Sequence, residues 1–337
     1  SFLDACCGPI SLTSTSGDPF ITLGGSPLIA SNVLFNLNDD SLTMSLAGSL
    51  LAATDSPILV NSRFFELGRN GTSLTTTVDQ PLISLDRSPL LVDGQLMDLA
   101  DATMSLGGPF LTALDSPLIV SGPFFSTTCC SVVSSFSSTS SAPFISLTRS
   151  PLLADDVFRL DPTTIVTLSG PLISATDSAG TVDSLIDFSF GGSSSLSSTT
   201  TQPLISLTRS ALLTNPDVLT LRSAVTLQGS LMAVTDSLVS STRDYLVYSN
   251  STLTNTGTQP LLSTSGSLLS IDEQFLDLSS TINLADKFLA ATGSVLTVNA
   301  DFLLAIAGGH LNSTGAVPLV TLDETTLVAP TVLGVPT

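Results

Sequence analysis

Short apolar runs alternate with polar turns along the whole chain, and this alternation is itself repeated. The segment that starts at Pro81 reads PLISLDRSPLL, and closely similar text starts at Pro143 and at Pro203. Equivalent units start at residues 19, 49, 81, 109, 143, 171, 203, 230, 260, 287 and 318, which gives ten complete units of 27–34 residues and part of an eleventh. Short apolar-rich runs between Gly, Pro and Ser turns are typical of strands rather than helices.

Several short strands in each unit predict one coil of a β-solenoid. In the unit that starts at Pro81, the expected strands are Leu82–Leu85, Leu90–Val92, Leu96–Leu99 and Thr103–Leu106. The expected fold is all-β: a single parallel β-helix (β-solenoid) of about eleven coils over residues 19–328, with roughly 30 residues per coil. Residues 1–18 are expected to form an N-terminal arm with a Cys doublet, and residues 329–337 a C-terminal tail.

Stacked coils bring equivalent residues into columns, and the turn after the first run predicts the most regular ones. A serine occupies one turn position in ten successive units: Ser26, Ser56, Ser88, Ser116, Ser150, Ser178, Ser210, Ser237, Ser267 and Ser294. The residue before it alternates between acid and base in seven successive units: Asp55, Arg87, Asp115, Arg149, Asp177, Arg209 and Asp236. A register slip would bring like charges together, so this column can specify the order of coils. Repeated aspartates can also indicate calcium binding or catalysis, but the intervening arginines favour a structural charge column.

The first apolar run predicts which side chains face the interior. Its second residue, such as Ile83 or Leu111, is apolar in ten units and is expected to point inward. Two residues later, leucine and alanine alternate from unit to unit, as facing layers do when they fill space. The first residue of the run, such as Leu82, points outward by strict alternation. It is either a corner residue turned inward or part of an exposed stripe that contacts a partner.

Charge and hydropathy narrow the classes of function. Nine Lys and Arg residues face 28 Asp and Glu residues, for a net charge of −19. Such a chain offers no surface for phosphates, so we expect no nucleic-acid partner. No apolar run approaches the roughly 18 residues of a membrane-spanning helix, and we expect no membrane span.

Residues suited to catalysis or metal binding are sparse. The one histidine, His310, follows two glycines and is expected on a surface loop. The adjacent acidic pairs are Asp39-Asp40, Asp155-Asp156, Asp272-Glu273 and Asp323-Glu324. We expect them in solvated loops or turns rather than as paired carboxylates for acid/base catalysis. Accordingly we expect no enzyme activity, no cofactor and no metal site.

The four cysteines form two adjacent pairs, Cys6-Cys7 and Cys129-Cys130. Metal sites favour two-residue spacers and histidine, and adjacent cysteines bond to each other only with strain. We therefore expect one doublet to bond the other, either between subunits or within one chain; free thiols are the alternative. Disulfides would imply an oxidising, extracellular setting.

Hydroxyl-rich inserts and short sequons predict features of the surface. Ser- and Thr-rich segments at 72–77, 131–141, 193–201 and 249–258 are expected to be surface loops. Asn-x-Ser/Thr sequons give possible glycosylation sites at Asn70, Asn250 and Asn312.

The repeated text of residues 19–328 resembles the repeats of secreted prokaryotic β-solenoid proteins, which include filamentous-haemagglutinin-like adhesins and extracellular fibre proteins. The resemblance is one of repeat style and carries over no functional residue. It implies a structural role in the extracellular space or at the cell surface.

The expected function is that of a structural subunit of an extracellular homopolymeric filament. The partner is then the chain itself, joined head to tail through open solenoid ends, the N-terminal arm and intersubunit disulfides. The alternatives are a monomeric cell-surface adhesin or stalk, and a polysaccharide-active β-helix enzyme.

Overall fold

Short strands and tight turns follow one another around a β-solenoid of about ten turns, with roughly 30 residues per turn. The structure, a computed structural model, describes residues 2–4, 10–38, 41–128, 133–188, 193–242, 247–249, 251–305 and 309–334; at 69, 70, 128, 247–249 and 305 it describes the backbone alone. Strands make up just over half of the chain, and the described segments contain no helix. The predicted fold class is confirmed.

Each turn contributes strands to three parallel sheets, which we number in the order that the chain visits them. Sheet one holds two strand positions per turn, and sheets two and three hold one each. The first position of sheet one contains Leu3–Asp4, Phe35–Asn38, Phe125–Thr128, Asp156–Arg159, Ser184–Asp187, Leu219–Leu221, Val247–Ser249, Leu276–Leu278, Asp301–Ala305 and Thr331–Gly334. The second position contains Ser11–Ser14, Thr43–Leu46, Ser134–Ser138, Thr164–Leu168, Ser195–Ser198, Ala224–Leu227, Leu253–Asn255, Thr281–Leu284 and His310–Ser313. Two long strands, Phe65–Thr76 and Met97–Leu106, cover both positions.

Sheets two and three each contain eleven strands, one from every coil. Sheet two contains Ile21–Gly24, Leu51–Thr54, Ile83–Asp86, Leu111–Leu114, Ile145–Thr148, Ile173–Thr176, Ile205–Thr208, Met232–Thr235, Leu262–Ser265, Leu289–Thr292 and Val320–Asp323. Sheet three contains Leu28–Ala30, Ile58–Val60, Leu90–Val92, Leu118–Val120, Leu152–Leu153, Ala179–Val182, Ala211–Thr214, Leu238–Ser241, Leu268–Ile271, Val295–Val298 and Thr326–Val328. The strand Leu90–Val92 has its predicted bounds, whereas the two predicted strands after it merge into Met97–Leu106.

Neighbouring coils stack in the register that the repeat predicts. In sheet two, Ile83 lies opposite Leu111, and Leu85 lies opposite Ala113. The next coil places Leu147 over Ala113, so large and small side chains alternate along the interior. These inward positions are buried, and large side chains of one coil lie over small ones of the next.

The first residue of each run is a corner residue turned inward. The chain bends at this residue between sheets one and two, and strict alternation fails there because the strand has not yet begun. At most 1% of each inner-coil member is exposed: Leu50, Leu82, Phe110, Phe144, Leu172, Leu204, Leu231, Leu261 and Phe288. The alternative of an exposed stripe at this position is therefore ruled out for the inner coils.

Aromatic side chains pack together in the interior of two neighbouring coils. Phe110 stacks on Phe144 of the next coil, with ring centroids 5.3 Å apart and planes 13° apart. Phe125 packs against Phe136 across the interior with centroids 4.7 Å apart. All four rings are buried, and offset aromatic contacts add to the area that they bury.

Both chain termini contribute strands where an arm and a tail were expected. Leu3–Asp4 pairs with Phe35–Asn38, and Ser11–Ser14 pairs with Thr43–Leu46, so these residues continue sheet one of their own chain. Thr331–Gly334 pairs with Asp301–Ala305 in the same sheet. The solenoid therefore extends beyond the expected limits of 19 and 328.

All four hydroxyl-rich segments contain strands where loops were expected, and residues 72–76 of the first belong to the strand Phe65–Thr76. Ser134–Ser138 pairs with Met97–Leu106 on one side and with Thr164–Leu168 on the other. Ser195–Ser198 and Leu253–Asn255 take equivalent places in later coils. Alternate side chains of Ser134–Ser138 are buried, so this hydroxyl-rich strand turns one face toward the interior of the rod.

Candidate functional site: the turn columns and the end coils

The serine column forms an unbroken hydrogen-bond ladder along the turn between sheets two and three. The backbone N–H of each serine donates to the Oγ of the serine in the next coil, as from Ser88 to Ser116 at 2.9 Å and from Ser116 to Ser150 at 3.0 Å. Each Oγ donates in turn to the carbonyl two residues earlier in its own coil; for Ser116 this is Leu114 O at 2.8 Å. Each hydroxyl in the ladder thus gives a serine N–H its hydrogen-bond partner, and it adds a second hydrogen bond to a carbonyl that already accepts a backbone N–H, as Leu114 O does from Arg87.

The ladder has an eleventh member that the sequence reasoning missed. Ser294 N–H donates to Thr325 Oγ1 at 3.3 Å, and Thr325 Oγ1 donates to Asp323 O at 2.9 Å. Glu324, directly before Thr325, takes the place of the Asp and Arg residues of earlier coils. The offset from Pro318 could have revealed both residues, since threonine carries the same hydroxyl as serine.

The residues of the charge column all have left-handed backbone conformations. From Asp55 to Asp236 their φ angles lie between 47° and 52°. Glycine holds the equivalent place at Gly25, Gly266 and Gly293, with φ between 56° and 61°. Non-glycine residues reach this region only at an energetic cost, so their recurrence in seven coils indicates that their side chains matter.

The arginines of the column each bind the aspartate of the preceding coil through two hydrogen bonds. Arg149 Nε and Nη2 lie 2.6 and 2.8 Å from the two carboxylate oxygens of Asp115. The same bidentate geometry recurs in the three pairs Asp55–Arg87, Asp115–Arg149 and Asp177–Arg209. Among the residues that the structure describes, no ion pair joins one of these pairs to the next. The column is therefore a series of three pairs, not a continuous network.

These pairs shift the titration of their carboxyl groups. The hydrogen bonds from Arg87, Arg149 and Arg209 hold the pKa values of Asp55, Asp115 and Asp177 below their ordinary values. The pairs are solvent-exposed, so they contribute little to the free energy of unfolding. Each pair joins two neighbouring coils; that the column specifies the order of coils stays a prediction.

The fourth aspartate of the column has no arginine in the following coil. The residue after it along the column is Gly266, whose added Cβ would lie 2.5 Å from Asp236 Oδ1. The carboxylate of Asp236 therefore lies across the glycine. An open groove of about 630 Å³ follows the turns from Asp177 past Asp236 and Gly266 to Gly293.

The acidic pair at 155–156 differs from the expectation. Asp156 is 8% exposed, and its Oδ1 accepts a hydrogen bond from Ser184 Oγ at 2.8 Å. Burial raises the pKa of Asp156 to about 6, and nearby Asp187 and Asp183 add to the rise. Asp156 is not in a solvated turn. It is the first residue of the strand Asp156–Arg159, and its carboxylate contacts Ser184 of the next coil. It lines a cavity of about 210 Å³ together with Asp187 and Arg222.

The end coils expose side chains that the inner coils bury. Phe20 is 39% exposed and Leu322 is 39% exposed, although both stand at interior positions of the repeat. Ile21–Gly24 and Val320–Asp323 are the outermost described strands of sheet two, so each has a neighbour on one side only. Each end of the described solenoid thus offers a sheet edge with an apolar face beside it.

A stripe of exposed aliphatic side chains follows sheet three on the outside of the rod. It occupies the outward position of five consecutive coils: Ile29, Leu59, Leu91, Ile119 and Leu153. Their exposed fractions range from 37% to 68%. An ordered apolar row of this kind on a surface is a candidate contact area.

The remaining candidates are dispersed or fall outside the described segments. Cys6, Cys7, Cys129, Cys130 and Asn250 lie outside the described residues. Asn70 lies within the strand Phe65–Thr76.

The strand His310–Ser313 contains two further candidates. His310 is exposed in this strand, not on a loop, and Asn312 is exposed and donates to Asn283 Oδ1 at 3.0 Å.

The described part of the chain contains no group of three or more potential metal ligands. It also contains no helix suited to crossing a membrane.

Comparisons with protein-family models, with curated proteins and with solved structures found no match to the chain. The geometry of the rod is therefore the basis of the proposed function.

Proposed function

We propose that the chain is a structural subunit of an extracellular homopolymeric filament, in which the last coil of one copy stacks on the first coil of the next. The observation that carries the proposal is that the end coils keep the apolar repeat positions while leaving them exposed. Phe20 is 39% exposed, whereas Phe110 and Phe144 at the same position are fully buried. Stacking a second copy would bury these side chains and pair the outermost strands.

The hydrogen-bond ladder supplies a register for the stack. In a continued solenoid, Val320–Asp323 pairs with Ile21–Gly24 of the next copy, and Thr326–Val328 pairs with its Leu28–Ala30. The N–H of Thr325 then donates to Ser26 Oγ of the next copy, as each serine N–H does inside the rod. Ser26 Oγ is exposed and donates to Gly24 O at 3.2 Å, so it keeps a lone pair for this bond.

One strand position is contested in such a stack. Leu3–Asp4 and Thr331–Gly334 both occupy the first position of sheet one, at opposite ends of the chain. If sheets two and three continue without a gap, both strands need the same place beside Asp301–Ala305. The two-residue strand Leu3–Asp4 makes fewer ladder bonds, so we propose that it is displaced when copies join.

Charge and cysteine chemistry fit this assembly. The net charge of −19 opposes side-by-side aggregation of rods while leaving contacts between ends possible. Head-to-tail contacts are heterologous and form open filaments unless their rotation closes a ring. Disulfides between the doublets of neighbouring copies would make the filament hard to dissociate, and they require an oxidising compartment.

Electron microscopy and size-exclusion chromatography of the purified chain test the proposal. We expect filaments whose width is that of one rod. A monodisperse monomer at concentrations up to about 100 μM would contradict the filament. End-to-end contacts with a dissociation constant below about 100 μM would give polymers at that concentration. Non-reducing gels test the covalent part separately: a monomer band without reductant removes the intersubunit disulfide but leaves the stacked filament.

The exposed stripe from Ile29 to Leu153 favours a second candidate function, that of a monomeric cell-surface adhesin or stalk. A rod with one apolar row can lie along a surface without using its ends. Aspartate substitution at Leu91 distinguishes the two functions, because it breaks the row and leaves both end coils unchanged. It should abolish surface binding by an adhesin and leave filament assembly intact.

A further inference from the structure

The charge column contains three complete Asp–Arg pairs and a fourth aspartate that is not followed by an arginine. In each complete unit, an aspartate with left-handed backbone is held by two hydrogen bonds from the arginine one coil later. The fourth aspartate, Asp236, meets Gly266 in place of arginine. Arg209 lies on the other side of Asp236, but its guanidinium bonds Asp177 at 2.7 and 2.8 Å. Among the described residues, no cationic side chain forms an ion pair with Asp236.

The space next to Asp236 has the features that an arginine side chain needs. The groove of about 630 Å³ passes directly over Gly266, which has no side chain to fill it. Leu268 and Val295, which are 43% and 40% exposed, form an apolar wall along the same groove. Arginine buries its aliphatic stem on such a wall while the guanidinium binds a carboxylate bidentately.

We propose that this groove binds the guanidinium group of an arginine side chain from another polypeptide. The three complete pairs show how a guanidinium is held at this position of the repeat. The incoming group takes the place that Arg87, Arg149 and Arg209 take beside their own aspartates. Lysine fits less well, since a single ammonium does not match both carboxylate oxygens. The site does not use the end coils, so it is independent of filament assembly.

The structure also suggests a variant that fills the site from within. Gly266 has a φ of 58°, and the three paired arginines have φ between 47° and 49°. Gly266→Arg therefore places arginine in a backbone conformation that the same turn already accepts. The Asp236 carboxylate has to move from its position over Cα, which a terminal side-chain rotation allows. The new arginine should bind Asp236 and block the groove.

The test measures binding of the peptide acetyl-Leu-Arg-Leu-amide to the full chain by calorimetry and by NMR, at low ionic strength. A peptide with citrulline in place of arginine has the same shape without the charge. We expect saturable binding of the arginine peptide, and binding of the citrulline peptide weaker by at least about tenfold. Asp236→Asn and Gly266→Arg should each weaken arginine-peptide binding to the citrulline level.

Two variants with matched charge changes control for the overall negative charge of the rod. Asp93→Asn removes one exposed carboxylate away from the groove, and Gly71→Arg adds one arginine at an exposed glycine with positive φ and open space around it, away from the groove and from both end coils. Both should bind the arginine peptide as the unmodified chain does. Equal binding of the two peptides would overturn the proposal. So would a Gly266→Arg variant that binds as tightly as the unmodified chain, or a loss of binding in Asp93→Asn equal to that in Asp236→Asn.

Discussion

The inner coils and the end coils of this rod have the same sequence repeat but differ in what their side chains contact. Phe144 and Phe20 stand at the same corner of the repeat, yet Phe144 is fully buried and Phe20 is 39% exposed. Ser116 links two neighbours in the hydroxyl ladder, whereas the Oγ of Ser26 bonds only to a carbonyl of its own turn. In a solenoid, burial is supplied by adjacent coils, so the end coils retain contacts that another coil could satisfy.

The largest expected difference between the two regions concerns this corner. Phe144→Ala removes a ring that packs against Phe110, Phe125 and Phe136, and it should lower the free energy of unfolding by about 3–5 kcal/mol. Phe20→Ala should cost only about 1–2 kcal/mol in the dissociated chain, because its ring is already 39% exposed. Denaturant unfolding measures both, and equal losses would contradict the comparison.

The hydroxyl ladder should show the same difference with smaller values. Ser116→Ala leaves the buried N–H of Ser88 and the carbonyl of Leu114 without their hydroxyl partner, at a cost of about 1–3 kcal/mol. Ser26→Ala removes one exposed hydrogen bond and should change stability by less than about 0.5 kcal/mol. If thermal unfolding gives the two variants the same midpoint, the ladder is not a source of stability.

The free energy of unfolding should depend on pH differently at Asp156 in sheet one than at the turn columns. Its pKa is raised to about 6, so its favourable contribution is present below about 3.8 and is lost as the pH rises through 6. Asp156→Asn should therefore stabilise the chain by about 1–2 kcal/mol at pH 7.5, with the gain fading toward pH 4. Unfolding midpoints across this range measure it, and a gain that is larger at pH 4 would contradict the burial effect.

The charge column should give the smallest effect. Arg149→Gly loses an exposed ion pair but relieves a left-handed backbone, and these two changes oppose each other. We expect the unfolding midpoint to move by less than about 3 °C at pH 7. Because the pKa of Asp115 is lowered, the contribution of the pair is present at neutral pH and is lost as the pH falls through that lowered value. A difference between variant and unmodified chain that grows in acid would contradict this.

The repeat predicted the architecture because burial and register follow the same period. Equivalent residues such as Leu85 and Ala113 face each other as expected, since each coil supplies the wall for the next. Alternation does not decide which way the corner residue Leu82 points, because alternation holds only inside a strand and the sequence does not mark where the bend falls. The hydroxyl-rich strand Ser134–Ser138 was missed, because it is held by ladder pairing and not by its own propensity.

Less of the candidate site than of the fold could be predicted from the sequence. The alternation of Asp and Arg predicted a column. It did not predict that each arginine binds the aspartate of the preceding coil, which leaves Asp236 beside Gly266. That asymmetry comes from side-chain direction at a left-handed residue, which spacing alone does not specify. The burial of Asp156 depends on the exact start of one strand, and boundaries are the least predictable part of such a repeat.

The central claim is that copies join through their end coils, and one pair of variants tests it most directly. Leu322 is 39% exposed at an interior position of the last coil, and Leu114 is 38% exposed on the outside of an inner coil. Leu322→Asp and Leu114→Asp thus introduce the same charge at equally exposed leucines. Filament length by electron microscopy should collapse for Leu322→Asp and stay unchanged for Leu114→Asp; filaments of equal length from both variants would contradict stacking through the end coils.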